Sequence, residues 1–160
     1  MTIKKQPWVI LIFSLVITQL AGILGSLFTA TKISGWYAGL VRPEITPPGW
    51  LFGPVWICLY LLMGVSLFLI IQHKHDNRER QFALRLFYVH LCLNAVWSIL
   101  FFGLENPLLG LIDIIILWLM IVFVMLRFYP LNQWAAYLLI PYLAWVSYAA
   151  VLNFAIFILN

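Results

Sequence analysis

Hydrophobic positions in this chain run continuously instead of recurring at a short period. Apolar stretches cover residues 8–28, 50–71, 82–102, 108–126 and 134–157, lengths of 21, 22, 21, 19 and 24 residues. About 20 residues cross a hydrocarbon core as a helix. A transmembrane barrel would instead need strands of about ten residues that alternate in polarity. The pattern therefore predicts an all-α integral membrane protein, a bundle of five transmembrane helices forming a single domain over residues 1–160. Lys4 and Lys5 ahead of the first run imitate a signal peptide. However, 21 apolar residues exceed the usual h-region of about 7 to 15, and no clean A-x-A site follows. The run reads as a retained first helix.

Composition agrees with the pattern. The chain is 65% hydrophobic and 9% charged, whereas soluble domains average about 45 to 50% and about 25%. With so little left for loops, a soluble nucleotide-binding, protease or nucleic-acid-binding fold is excluded, and no nucleic acid is expected as a partner. The net charge of +4 is read by position. Lys4, Lys5, the 73–85 connection and Arg127 put seven basic residues on one side, against two, Lys32 and Arg42, on the other. Cytoplasmic segments carry the excess of Lys and Arg, so the amino terminus is expected in the cytoplasm and the carboxyl terminus outside. Arg85, one turn inside its span, can snorkel to the surface. Cys58 and Cys92 lie in apolar runs, where such residues are usually small buried hydrophobes. Only the connection over residues 29–49 is long. It is external by this topology and holds Trp36, Tyr37, Arg42, Pro43, Pro47 and Pro48, the composition of a lid or binding loop.

Polar residues within spans mark the bundle interior. His90, Asn94, Trp97 and Phe101 recur at steps of 4, 3 and 4, which places them on one helical face. Asp113 lies near the external end of its span, where it is expected to be hydrogen-bonded or protonated. At a rise of about 1.5 Å per residue, Trp56, Trp97, Asn94, Asp113 and Trp145 sit roughly 8 to 18 Å below the external surface. Interfacial tryptophans, as Trp8, Trp50 and Trp134 are expected to be, would lie higher. The deep indoles are either ordinary packing residues or the walls of a cavity beneath the loop, suited to a large flat apolar ligand with polar edges. Ala21, Gly22, Gly25 and Ser26 form small-xxx-small pairs for close packing within the bundle or a dimer, and Pro141 is expected to kink the fifth helix. His73 and His75 could bind a metal but read better as part of a solvated basic loop. His90 could ligate haem iron; a hydrogen-bonded buried histidine is the simpler reading. No G-x-S-x-G, Walker A, H-E-x-x-H, paired-carboxylate or C-x-x-C signature is present, so conventional hydrolytic or redox-metal catalysis has no visible machinery, and no metal site or required cofactor is assigned.

Four stretches then carry a resemblance. They are W-Y-A-G-L-V-R-P-E-I-T-P-P-G-W-L-F-G-P-V-W from Trp36 to Trp56, L-N-A-V-W-S-I-L-F-F-G from Leu93 to Gly103, D-I-I-I-L-W from Asp113 to Trp118 and P-Y-L-A-W from Pro141 to Trp145. Together they resemble the tryptophan-rich sensory protein and peripheral benzodiazepine receptor family (TspO/MBR), also called translocator proteins. The resemblance runs in order from the first helix through Asn153. It implies a five-helix bundle, commonly a homodimer, that binds porphyrins and related tetrapyrroles, with haem as a related ligand, and in animal members also cholesterol. Matched residue by residue, the pocket would be lined by Trp36, Tyr37, Pro47, Trp56, Asn94, Trp97, Trp145 and Ala149, with His90 added on the polar face of the third helix. Some members are reported to degrade protoporphyrin in light, and the tryptophans of that activity would match Trp56 and Trp145. Two departures matter. Many members carry Gln where this chain has His90, and the carboxyl-terminal sterol motif lacks its Tyr and basic residue, ending instead in Val151, Leu152, Phe154 and Asn160. The second departure favours a bacterial, porphyrin-oriented member in a cell membrane.

Three functions compete at this point: a receptor or carrier for tetrapyrroles with stress or tetrapyrrole regulation as output, a light-dependent porphyrin-degrading enzyme, and a structural subunit with an unoccupied cavity. The deep indoles and the long loop favour the first, since packing alone requires neither.

Overall fold

The computed structural model describes residues 6–73 and 78–160, which form helices and turns with no strand among them. The readings that involve Lys4, Lys5, Lys74 and His75 fall outside the described residues. In chain order the elements are α1 (Pro7–Ala30), α2 (Trp36–Gly39), α3 (Gly49–Ile71), α4 (Arg78–Ser98) running into a π-helical turn (Ile99–Gly103), α5 (Pro107–Phe128), α6 (Gln133–Tyr137) and α7 (Ile140–Leu159). Five segments are long and apolar enough to cross a membrane: α1, α3, α4 with its π turn, α5, and α6 together with α7. The protein is therefore an all-helical, multi-pass membrane protein, as the apolar runs predict.

Local chemistry sets the helix ends. Pro7 and Pro107 occupy first turns, where a missing N–H costs nothing. Asn106 caps α5 by accepting from the Leu109 N–H at 3.0 Å, and Asn132 caps α6 by accepting from the Ala135 N–H at 3.2 Å. Between the π turn and α5 the chain reverses through Glu105, whose φ is 53°. Pro141 behaves differently from expectation. The last crossing breaks at Leu138–Leu139, and Pro141 stands in the first turn of α7 instead of kinking a continuous helix. The fixed proline φ suits a helix start better than an interior, where the ring collides with the preceding turn.

Of the small residues of α1, Ala21 and Gly25 pack inside the bundle, whereas Gly22 and the exposed Ser26 line the space between helices. Ser14, Thr18, Ala21 and Gly25 are the buried positions of α1, and they face α3 and α4. Thr18 Oγ1 donates to the Tyr60 carbonyl of α3 at 2.9 Å while also lying near its own Ser14 and Leu15 carbonyls. A Cβ placed on Gly64 of α3 would come within 2.9 Å of the Leu15 Cα; the backbones of α1 and α3 meet there. The opposite face of α1, with Leu20, Leu24 and Leu27, is exposed and apolar, as contact with lipid requires. Cys58 and Cys92 are exposed as well, not buried. Each lies next to, and not on, the inward face marked by Leu59 in α3 and Leu91 in α4.

Packing differs between the two ends of the bundle. Toward the end where α3 finishes and α4 begins, Met63, Leu67, Ile70, Ala83, Phe87 and Phe128 have no exposed surface. That half is close-packed. The opposite half, beneath the 29–49 connection, is where the helices leave space between them.

Candidate functional site

The space is a cavity of about 610 Å³ bounded by α1, α3, α4, the π turn, α7 and the loop, a size that suits a drug-sized or cofactor-sized molecule. Four tryptophans line it: Trp56, Trp97 and Trp145, and the largely exposed Trp50 of the first turn of α3, which was expected at the interface. Trp56 stacks on Tyr60 with ring centroids 5.5 Å apart and planes 28° from parallel, and meets Tyr142 edge-on at 6.3 Å. Trp97 stacks on Phe101 at 5.2 Å and 16°, and its indole N–H donates to Asn153 Oδ1 at 3.2 Å. Trp145 packs edge-on against Phe52 at 6.0 Å. Such contacts hold each ring plane in place, so the walls are preformed flat apolar surfaces.

The floor is polar. Tyr60 donates its hydroxyl to Asn94 Oδ1, and Asn94 Nδ2 donates to the Tyr142 hydroxyl at 2.9 Å. The chain of groups runs from α3 through α4 to α7, and Tyr60 and Asn94 line the cavity. A second amide, Asn153, accepts from Trp97 and donates through Nδ2 to the Pro107 carbonyl at 2.8 Å. A Cβ on Gly110 would approach Asn153 Oδ1 to 3.0 Å and Phe101 to 2.8 Å, so α5 comes in closely behind these two residues. Among the described residues no charged side chain lines the cavity.

The residues singled out in the sequence are sorted by this geometry. Tyr37, Trp56, Asn94, Trp97, Trp145 and Ala149 line the cavity together. Trp36, Pro47 and His90 do not. Trp36 turns its ring against Phe101 and Phe102 of the π turn, at 5.5 and 6.4 Å, and anchors the loop. Pro47 lines a separate shallow pocket within the loop. His90 is fully enclosed one turn below Asn94, hydrogen-bonded through Nδ1 to the Phe87 carbonyl and packed against the Phe87 and Tyr142 rings at 4.6 and 5.8 Å. It is the buried, hydrogen-bonded histidine of the simpler reading, although its Nε2 has no partner among the described residues. Asp113 is also buried and outside the lining, and its Oδ2 has no hydrogen-bond partner among the described residues. No cluster of three or more metal-ligating side chains occurs among the described residues.

The sequence reading missed Tyr60 and Asn153 in the lining, and Tyr142 behind it. Tyr60 follows Trp56 by four positions, and Tyr142 and Asn153 share the α7 face of Trp145 and Ala149, at steps of 3, 4 and 4, the spacing of one helical face. That signal was available. The π turn was not. An α-helical count puts Phe101 inward and leaves Phe102 about 100° away, yet both are buried, at 2% and 7% exposure, because the wider turn brings both rings to the loop. Such single π turns within α-helices are frequent at functional sites.

The loop is tied down over the cavity at several points. Asn160, at the end of α7, accepts from the Val41 N–H at 3.0 Å and donates to the Val41 carbonyl at 3.1 Å. Tyr148 donates to the Ile45 carbonyl. Lys32 pairs with Glu105 at 2.6 Å.

Comparison with known proteins places this architecture. The TspO/MBR family model matches residues 14–159. A tryptophan-rich protein TspO from Archaeoglobus fulgidus is 45% identical over 150 residues, covering 94% of this chain and 96% of the relative. A tryptophan-rich sensory protein from Cereibacter sphaeroides is 33% identical, covering 81% and 79%. The translocator protein of Bos taurus is 33% identical, covering 92% and 88%. The family match spans nearly the whole bundle, including every element that lines the cavity, and on that ground the chain belongs to the TspO/MBR family.

Proposed function

We propose that this membrane protein is a receptor or carrier for porphyrins and related tetrapyrroles, held in the indole-walled cavity beneath the loop. The observation that carries the reading is the pairing of flat apolar walls, Trp56, Trp97 and Trp145, with a narrow polar floor at Tyr60 and Asn94. A macrocycle offers large π faces to the first and ring nitrogens to the second. A purely structural subunit needs no such space. Titration of the purified protein with protoporphyrin and with haem, followed by the Soret band and by indole quenching, tests it. Saturable binding at one site per chain is expected. Spectra that shift only as they do with empty detergent micelles would remove the reading.

Photochemical alteration of bound porphyrin is the second reading, favoured by the Trp56–Tyr60 stack at the cavity wall, where an indole and a phenol could each give an electron to an excited macrocycle. It separates from the first by whether the absorbance of bound porphyrin decays under light and dioxygen, and whether Trp56→Phe stops that decay.

The proposed orientation has the amino terminus and the 73–85 connection in the cytoplasm, with the loop over the cavity and the carboxyl terminus outside, from the seven-to-two basic asymmetry. With Cys58 and Cys92 replaced, because both are exposed, single cysteines at Ser34 and Asp76 report the topology in intact cells. An impermeant maleimide is expected to label position 34 and spare position 76. The opposite pattern reverses the orientation.

A further inference from the structure

A carboxylate carried into this cavity would find no cation there among the described residues, and an ionised carboxylate taken from water into such surroundings is heavily penalised. Its place must be the rim. At the roof, a shallow pocket of about 390 Å³ is lined by Arg42 with Pro43, Thr46, Pro47 and Gly49, and Gly49 also lines the main cavity, so the two spaces adjoin. The Arg42 guanidinium lies 5.3 Å from the centroid of the Tyr37 ring, and Tyr37 is itself part of the cavity wall. Of the two basic residues in the loop, Lys32 is committed to Glu105 at 2.6 Å, whereas Arg42 is exposed and forms no ion pair among the described residues. Burial pushes the Tyr37 phenol above its ordinary value and the Arg42 charge pulls it back. The phenol stays neutral at physiological pH, and the guanidinium keeps more donors than one phenol can accept.

We propose that Arg42 is the anion anchor of this site, taking the carboxylate edge of a flat apolar acid whose ring system lies in the cavity, and so favouring carboxylated tetrapyrroles over neutral flat molecules such as sterols. The proposal rests on the porphyrin reading above and adds the edge by which the ligand is held. An arginine fork matches a carboxylate bidentately, which a lysine does not. Its stacking on Tyr37 fixes the guanidinium where the cavity meets the outer pocket, so ring burial and charge pairing can be satisfied by one rigid molecule.

Protoporphyrin and its dimethyl ester share a macrocycle and differ in the charged edge. Both are titrated into the full chain, its Arg42→Gln variant and its Arg42→Lys variant, in zwitterionic detergent free of anionic lipid that would compete for the guanidinium. Arg42→Gln is expected to weaken the free acid by about five- to twentyfold and to leave the ester within about twofold, with Arg42→Lys in between. Added salt should narrow the gap between acid and ester in the parent and not in Arg42→Gln. Equal weakening of both ligands would mean that Arg42 acts by shaping the loop through Tyr37, and would overturn the anchor. An unweakened free acid would overturn it too. A parent that binds the ester but not the acid sinks the anchor and leaves the porphyrin reading standing, whereas a parent that binds neither removes both.

Discussion

Gly64→Leu is expected to prevent recovery of folded, monodisperse protein, and Gly64→Ala to lower its stability by about 1 to 3 kcal/mol. The reason is the crossing of α1 and α3. A single Cβ at this position would lie 2.8 Å from Leu15 Cδ2, 2.9 Å from the Leu15 Cα and 2.9 Å from Thr18 Oγ1. The first of these can rotate away; the backbone atom cannot, and the hydroxyl is held by its bond to the Tyr60 carbonyl. Separating the helices would also break that bond and widen the cavity wall formed by Gly22 and Tyr60. Helix propensity works the other way, favouring Ala over Gly by about 1 kcal/mol, so a control is needed. Gly49 is also within α3, in its first turn, and a Cβ there meets nothing within 4 Å beyond its chain neighbours. Gly49→Ala is expected to melt at or above the parent's temperature. Thermal unfolding in one detergent, followed by far-ultraviolet circular dichroism, decides between them. Matching melting temperatures for the two alanine variants would show that the α1–α3 crossing yields easily and that its tightness carries little energy.

Asn94→Ala and Trp97→Ala are expected to weaken porphyrin binding by a factor of a few to about ten or more, since about 1.4 kcal/mol is tenfold. For Trp97 the loss is a stacking wall, about 0.5 to 1.5 kcal/mol beyond the area removed. It also frees Asn153, which accepts from the indole. For Asn94 the expected loss is the proposed polar contact to the ligand, together with the junction it makes between Tyr60 and Tyr142. Both phenols are buried, at 6% and 0% exposure, and stranding a buried donor or acceptor costs about 1 to 3 kcal/mol. Asn94→Ala should therefore lower stability as well as affinity, while Trp97→Phe, which keeps the stack on Phe101, should spare most of both. Trp8→Ala and Trp134→Ala, at sites 58% and 73% exposed, should leave affinity nearly unchanged. Equal porphyrin affinities across the four alanine variants would mean that the cavity walls are packing surfaces and not a binding site.

Much of this protein was legible in its order of residues. Continuous apolar runs of about 20 residues admit helices in a bilayer and little else, because every backbone N–H and C=O must find its partner within the segment. The inward placement of Asn94 and Trp97 followed from the cost of turning polar groups to lipid, and Trp56 and Trp145 were marked by depths that interfacial residues do not have. What counting could not supply was anything that depends on how one helix leans on another. His90 shares the face of Asn94, yet one turn of depth separates an enclosed ring from a cavity floor. Trp36 and Tyr37 are adjacent in sequence, but one packs on the π turn and the other faces the cavity. The π turn itself has no short-range signature here, and it brings Phe102 inward only because the loop is there to receive it. Likewise Cys58 and Cys92 lie in apolar runs and still face outward, since in a membrane apolar character does not distinguish the core from the lipid side. Sequence alone thus determined the spans and the polar residues that must avoid lipid, because both are set by transfer from water to hydrocarbon, residue by residue. Only the tertiary structure decided which of those residues share a cavity, because close packing at one end and open space at the other arise from side chains meeting across helices far apart in the chain.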